Sequence, residues 1–412
     1  MKHAGNRKIK SRMWKRRVQA LGLTGVASVA GISIAIVAIR VSAAAMGTHE
    51  VPAAKTQAAH GTLGAPGTPG GITQGGTSTT AQIIKSGPLE VLGTSPANQA
   101  SNVSPAATIE VDLSSPLANS SPMPTLAPLI AGSWSQIAPG KLQFQPTESL
   151  VPGSSETLTI PPGPQGVIGT YGQELTNSYT TSFNVADGSA LRLQELLAEL
   201  GYLPLSFTPI GGPVNPQDLA LPQLGSFNWK WPNLPVSLTS LWTQGSYNEI
   251  TKGAVMSFES QHGLAVDGIA GPLVWSALLS AINSGAGDTA PYGYVYVSKA
   301  LPETATIYQN GNAVFSTPVN TGVPGAVTPD GTFTVYERFV STTMSGTDPN
   351  GVKYVDPGIP WVSYFYQGDA LHGYVRAQYG FPQSNGCVEM PPANAKIVWP
   401  MTPIGTLVTV AN

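Results

Sequence analysis

The sequence predicts a multidomain, mainly β protein with an N-terminal transmembrane helix, a β-sandwich, a small three-helix bundle and a C-terminal β-sandwich. Three observations predict this order. A basic cluster followed by an uncharged apolar run opens the chain, period-two alternation broken by Gly and Pro fills two separate stretches, and a helical i, i+3, i+4, i+7 pattern lies between them. At about 150 residues per domain, 412 residues suggest two or three folded domains. With 46 Gly, 37 Pro and only 10% charged residues, the composition favours turn-rich β structure over long surface helices.

Residues 1–17 read as a basic cytoplasmic segment. Eight of the 20 Lys and Arg lie there, while none of the 22 acidic residues precedes Glu50. Residues 18–39, Val18 to Ile39, carry no charge and would span roughly 33 Å as a helix against a hydrocarbon core of about 30 Å. The flanking charge places everything after Arg40 outside the cell membrane. A cleavable signal is the competing reading, because Val41-Ser42-Ala43-Ala44-Ala45 offers small residues to a peptidase; the length of the apolar run favours an uncleaved single-pass anchor. The region beyond position 49 holds 11 basic and 22 acidic residues, a formal net charge of −11, which disfavours nucleic acid as a partner.

Residues 40–86 form a linker. Val51 to Gln82 is dominated by Ala, Gly, Thr, Pro and Gln without apolar periodicity, and about 30 such residues reach roughly 30 Å as a flexible coil. Over 87–185, runs such as Thr108-Ile109-Glu110-Val111-Asp112-Leu113, Lys141-Leu142-Gln143-Phe144 and Glu156-Thr157-Leu158-Thr159-Ile160 alternate between turn formers, the pattern of an antiparallel sandwich. With Ser95-Pro96-Ala97, Ile130-Ala131-Gly132-Ser133-Trp134 and the closing Thr181-Ser182-Phe183-Asn184-Val185, this stretch resembles bacterial Ig-like domains of cell-surface proteins. The resemblance implies a spacer with no ligand of its own.

Over 187–284 the period changes. Leu193, Leu196, Leu197 and Leu200 mark a helix with Asp187 or Ser189 as N-cap and Gly201 at its end; a second is expected over Glu249 to Gln261, and a third starts at Gly271-Pro272. Leu200-Gly201-Tyr202, Ala254-Val255-Met256-Ser257-Phe258, Gly263-Leu264 and Asp267-Gly268-Ile269-Ala270-Gly271-Pro272 followed by Trp275 resemble the peptidoglycan-binding domain of bacterial wall enzymes. An insert from 205 to 247 departs from that pattern. Its Trp229, Trp231 and Trp242 read either as a glycan-facing aromatic surface or as packing of a long loop. His262 reads as a turn or surface residue.

Over 292–412 alternation returns in Tyr294-Val295-Tyr296-Val297, Thr332-Phe333-Thr334-Val335-Tyr336 and Leu407-Val408-Thr409-Val410, with turn signals at Asn310-Gly311 and Asp330-Gly331 and a short helix over Ala393 to Trp399. This stretch holds the chain's only cysteine, Cys387, fifteen positions after His372. A lone thiol in an exported chain is a buried hydrophobe, an intermolecular link or a nucleophile. Acyl transfer by a thiol needs a base, an orienter for that base and donors for an oxyanion. His372 is the candidate base, and the loop from Tyr374 to Pro382 is long enough to bring it to Cys387. Gly386 permits a sharp turn that presents the N–H groups near Gly386 and Cys387 to an oxyanion. The alternative for His372 is a satisfied core histidine after a strand.

Leu371-His372-Gly373, Tyr379-Gly380-Phe381-Pro382-Gln383-Ser384-Asn385-Gly386-Cys387-Val388-Glu389-Met390 and Gly405-Thr406-Leu407-Val408-Thr409-Val410 resemble the catalytic domain of the L,D-transpeptidases (YkuD-like). Asn320-Thr321-Gly322 and Thr328-Pro329-Asp330-Gly331-Thr332-Phe333 add to the likeness. The resemblance implies an acyltransferase of cell wall biogenesis in which Cys387 attacks the carbonyl between the third and fourth residues of a peptidoglycan stem peptide and passes the acyl group to a neighbouring stem, cross-linking two third-position residues. It also implies that His372 is the base, oriented by a backbone carbonyl near Gly373, and that carbapenems acylate Cys387; Ser384, Gly386 and Gly373 are candidate positioning or oxyanion residues, and Asn385 offers a side-chain amide for hydrogen bonding in the same role. Two positions depart from the family pattern: Asn385 stands where it has His, and Glu389 where it has Arg. A carboxylate about 6.5 Å from the sulfur at an effective dielectric near 20 would oppose thiolate formation by roughly 2.6 kcal/mol. Either Glu389 points elsewhere or it engages a cationic substrate group such as the side-chain amine of a stem peptide, and the second is the expectation here; Tyr374 is the other candidate substrate-binding residue.

No Cys/His metal cluster, Gly-rich phosphate loop or Gly-x-Ser-x-Gly elbow occurs, so no metal or cofactor is implied. The expected partners are peptidoglycan stem peptides and glycan, with the membrane as anchor. The rivals are an L,D-carboxypeptidase or endopeptidase using the same cysteine, and a catalytically inactive wall-binding protein.

Overall fold

Alternating apolar positions on short strands have one stable outlet, a second sheet to pack against, and both β regions take it. The computed structural model describes residues 87–412; the expected basic segment 1–17, membrane anchor 18–39 and linker 40–86 lie outside the described residues. No helix among the described residues is long and apolar enough to cross a membrane.

The first domain comprises β1 (Val91–Ser95), β2 (Ala100–Val103), β3 (Ile109–Leu113), β4 (Thr125–Ala127), β5 (Gly132–Ala138), β6 (Lys141–Pro146), β7 (Ser155–Ile160) and β8 (Tyr179–Val185). They form sheets ordered β1-β3-β6-β5 and β2-β8-β7-β4, in which only β2 and β8 run parallel. The period-two residues Ile109, Val111, Leu142, Phe144, Leu158 and Ile160 meet between them in one core.

The helical region contains α1 (Ala190–Glu199), β9 (Leu205–Pro209), β10 (Gly225–Trp229), α2 (Val236–Thr239), α3 (Glu249–Gln261) and α4 (Pro272–Ser284). Ser189 caps α1 by accepting from the Arg192 N–H, and the Asn248 side chain accepts from the Thr251 N–H at the start of α3. His262 ends α3, its Nδ1 2.9 Å from the Phe258 carbonyl oxygen.

The insert is not an open aromatic surface. Its β9–β10 hairpin and α2 pack on the helical core, Trp229 and Trp242 lie 6.4 Å apart edge to face, and Trp231 lies 6.3 Å from Tyr292. The insert also joins domains. Ser149 Oγ of the first sandwich donates to the Gln217 carbonyl (2.7 Å) and accepts from the Ala220 N–H (3.0 Å), while Ser237 Oγ accepts from Tyr294 Oη (2.8 Å) of the C-terminal sandwich.

That last domain contains β11 (Gly293–Ser298), β12 (Thr304–Gln309), β13 (Asn312–Pro318), β14 (Gly331–Thr334), β15 (Glu337–Thr347), β16 (Lys353–Tyr366), β17 (Asp369–Gly373), β18 (Val388–Met390), α5 (Pro392–Val398) and β19 (Leu407–Ala411). Its sheets are ordered β13-β12-β11-β19-β14 and β15-β16-β17-β18, with parallel pairs β11/β19 and β17/β18. Asn310 and Gly311 both take positive φ, +50° and +78°, as a two-residue hairpin turn requires. Val295, Val297, Ile307, Val408 and Val410 face Phe365, Leu371, Val388 and Met390 across the core.

Helix α3 lies directly on this domain. A Cβ at Gly253 would come within 2.6 Å of the Gly405 carbonyl oxygen, and Ser257 Oγ donates to the Ile404 carbonyl at 3.0 Å. Glycine inside a helix costs about 1 kcal/mol relative to alanine, and here it allows backbone-to-backbone approach between two domains.

Candidate active site

The site follows from strand register. Strands β17 and β18 pair Leu371 with Val388 and His372 with Glu389. Since Leu371, Val388 and Met390 point into the core, alternation sends His372 and Glu389 to the opposite face, with Ala370 and Cys387 continuing that row. His372 and Cys387 line one cavity of about 490 Å³, together with Tyr374, Arg376, Asn385 and Glu389. The tip of the β15–β16 hairpin, Asp348–Asn350, and Tyr354 and Asp356 of β16 form its far wall.

The turn before β18 is held from two sides. Ser384 Oγ accepts from the Gly386 N–H (3.2 Å) and donates to the Cys387 carbonyl (2.5 Å), while Thr328 Oγ1 donates to the Gly386 carbonyl (2.6 Å) and accepts from the Gly322 N–H (2.8 Å). The Gly386 N–H is therefore spent inside the turn, which removes it as the oxyanion donor expected from sequence and makes Ser384 a brace for the turn that carries Cys387. At φ +114°, with a Cβ there coming within 2.3 Å of Asp369 Oδ1, position 386 accepts only glycine.

Behind the turn, Asn320 exchanges backbone hydrogen bonds with Glu389. The Thr321 N–H and hydroxyl both donate to the buried Glu303 carboxylate at 2.7 Å. Asn320-Thr321-Gly322 is thus a scaffold for the Cys387 strand. Glu303 gave no signal in the sequence, because its partners lie 18 positions away.

His372 is buried, and its Nδ1 lies 3.1 Å from the Gly373 carbonyl oxygen. A carbonyl only accepts, so Nδ1 carries the proton and Nε2 keeps a lone pair. Burial holds the imidazole below its ordinary pKa, opposed by the Gly373 hydrogen bond and the Glu389 charge, so it is neutral near pH 7. The Cys387 thiol is only part exposed. Burial pushes it up to about 12; a backbone hydrogen bond from Ala370 opposes the rise, and the charges of Asp369 and Glu389 add to it. Its Sγ lies 3.8 Å from the Gly368 carbonyl oxygen.

Glu389 does not serve as an open site for a cationic substrate group. Arg376 Nε and Nη2 donate to its two oxygens, each at 2.8 Å, so both sides of the carboxylate are taken. The Arg376 guanidinium also lies 4.6 Å from the centre of the Tyr374 ring and donates through Nη2 to the Gln383 carbonyl at 3.2 Å. A guanidinium from the preceding loop thus stands beside the position two residues after Cys387, where the sequence itself shows only a carboxylate. The available signal was that Arg376 is the one arginine between His372 and the end of the chain. Tyr374 lines the cavity, with Oη donating to Asp356 Oδ2 at 3.3 Å, and Asn385 lies within hydrogen-bonding reach of Tyr354.

Residues 292–410 match the YkuD L,D-transpeptidase catalytic domain, residues 85–185 a bacterial Ig-like domain and residues 236–278 a putative peptidoglycan-binding domain. Comparison with curated proteins gives no match. Similar solved structures include an L,D-transpeptidase from Mycobacterium smegmatis (15% identity, 79% of this chain and 100% of that one, TM-score 0.27). Another, from Mycobacterium tuberculosis H37Rv, shares 13% identity over 78% of this chain and 98% of that one, with a TM-score of 0.26. The catalytic domain of the E. faecium enzyme, acylated by ertapenem, shares 25% identity over 30% of this chain and 100% of that one, with a TM-score of 0.27. The cavity that holds Cys387 and His372 thus lies within the stretch that matches the YkuD L,D-transpeptidase catalytic domain, in one chain with stretches that match a bacterial Ig-like domain and a putative peptidoglycan-binding domain.

Proposed function

We propose that the protein is a peptidoglycan L,D-transpeptidase that works through a Cys387 acyl-enzyme and joins third-position residues of neighbouring stem peptides. The observation that carries this reading is the shared cavity, in which Cys387 and a His372 with a free Nε2 lie on one face of a parallel strand pair. With the thiol pushed up to about 12, a standing thiolate is negligible at neutral pH. Attack is therefore general-base catalysed. As Sγ bonds to the donor carbonyl carbon, the thiol proton passes to His372 Nε2; the C–N bond then breaks and the same proton leaves on the amine of D-alanine. The acceptor amine attacks the thioester, the amide forms, and its surplus proton returns through His372 to the departing sulfur. The Cys387 N–H, on the turn fixed by Ser384 and Thr328, is the oxyanion donor in this scheme, and carbapenems enter as covalent inhibitors of the same sulfur.

The peptidoglycan-binding domain supports a polymeric substrate, since holding the wall raises the effective concentration of stems at the active site. The apolar segment 18–39 supports a membrane-anchored, extracytoplasmic location, with the Ig-like domain as spacer. Incubation with a tetrapeptide stem and an amine acceptor, read by mass spectrometry, tests the reaction: released D-alanine and an amide product are expected. Hydrolysed tripeptide as the sole product would make the protein a carboxypeptidase instead.

A further inference from the structure

Asp369 opens β17 beside the nucleophile, and the scheme above gives it no task. Its carboxylate is half-buried, and no donor or cation among the described residues meets it; burial alone raises it, to about 6. Oδ1 packs against Gly386, the residue before Cys387. Its charge reaches Tyr336, Tyr354 and the Cys387 thiol, and it opposes the ionisation of each. An unpaired carboxylate in this position costs stability and hinders the first half of the reaction, so any use it has lies in the second half.

Position along the strand supports this. His372 and the main cavity lie at one end of β17 and Asp369 at the other, about 10 Å apart at strand rise, with Cys387 following the register between them. Tyr366, the strand partner of Asp369, lines a second cleft of about 410 Å³ between the two domains, bounded also by Tyr336 and Gln367 of the catalytic domain and by Glu249, Lys252 and Asp267 of the helical domain. Two carboxylates and one ammonium suit a peptide that carries both charges.

We propose that Asp369 is the acceptor-side group of this enzyme, binding the ammonium of an amine-bearing stem peptide that enters from the second cleft and taking the proton it must lose before attack. The assignment rests on the transpeptidase reading. The ammonium gives one proton to the carboxylate, leaving a neutral amine and a carboxylic acid. The amine then bonds to the acyl carbon, the C–S bond breaks, and the second proton leaves through His372 to sulfur. The carboxylic acid returns its proton to water.

The test uses the full chain with a synthetic tetrapeptide stem as donor and glycinamide as acceptor, following both single-turnover D-alanine release, which reads acylation alone, and the ratio of amide to hydrolysed product. In Asp369→Asn, D-alanine release is expected to be unchanged or faster, while the amide-to-acid ratio falls by at least about tenfold near neutral pH, within the range of a general base. The deficit narrows as pH rises and the acceptor becomes a free amine, and Asp369→Glu restores part of the ratio. An unchanged ratio in Asp369→Asn overturns the proposal, as does a parallel loss of D-alanine release, which marks a structural residue. Failure of the unaltered protein to release D-alanine refutes the transpeptidase reading itself, and the Asp369 assignment falls with it.

Discussion

Cys387→Ala is expected to abolish D-alanine release from a tetrapeptide stem, a loss on the order of 10⁴-fold or more, because no other described side chain in the cavity is a sulfur nucleophile. The unaltered protein should show a one-sided pH profile. Burial sets the His372 pKa below its ordinary value of 6.5, so the base is neutral at pH 7 and is lost only as pH falls through that lowered value. On the alkaline side the thiol at about 12 leaves the rate level or rising. The same histidine affects stability. Between its folded and unfolded pKa values the unfolded chain binds more protons, so the folded state weakens as pH drops below about 6.5. A rate that declines on the alkaline side near pH 8, or an acid limb centred above 7, would contradict a neutral imidazole base.

The second large effect is expected at Arg376. Removing its side chain leaves Glu389, which is 5% exposed, as a buried carboxylate without a counter-charge beside Cys387. Breaking one partner of a buried pair costs about 3–5 kcal/mol, and the low end applies because the Arg376 side chain is itself 29% exposed. Arg376→Ala should therefore lower unfolding stability by about 3 kcal/mol and slow acylation further, since the freed charge raises the thiol. Arg376→Ala combined with Glu389→Gln should recover much of both losses. Denaturant unfolding and acylation rates of the single and double variants measure the coupling; additive losses would mean that the two residues act independently.

The pair also bears on the inactive-protein reading of the sequence. Taken alone, Glu389 two residues after Cys387 looks like a substitution that ends chemistry. With Arg376 bound to both oxygens, the cavity keeps a guanidinium, supplied from a different point in the chain.

Local features were legible because local physics sets them. Alternation gave the strands, the Ser189 cap and the helical stripe gave α1, and the lone thiol with a histidine upstream gave the centre of the cavity. What depended on side chains meeting across loops was not legible. Glu303 beneath Thr321, Arg376 against Glu389 and Thr328 on the Gly386 carbonyl are each fixed by tertiary closure, which no period or spacing encodes. The insert's tryptophans were ambiguous for the same reason, since exposure and packing call for the same residue type. The Gly386 N–H read as an available donor because its local acceptor, Ser384 Oγ, depends on a turn geometry that the sequence leaves open.

Intact-mass analysis after incubation with a carbapenem tests the central claim most directly. A reactive Cys387 served by His372 predicts one covalent adduct per chain, mapped to the peptide that contains Cys387 and missing from Cys387→Ala. An unmodified protein, or an adduct that persists in that variant, would contradict it.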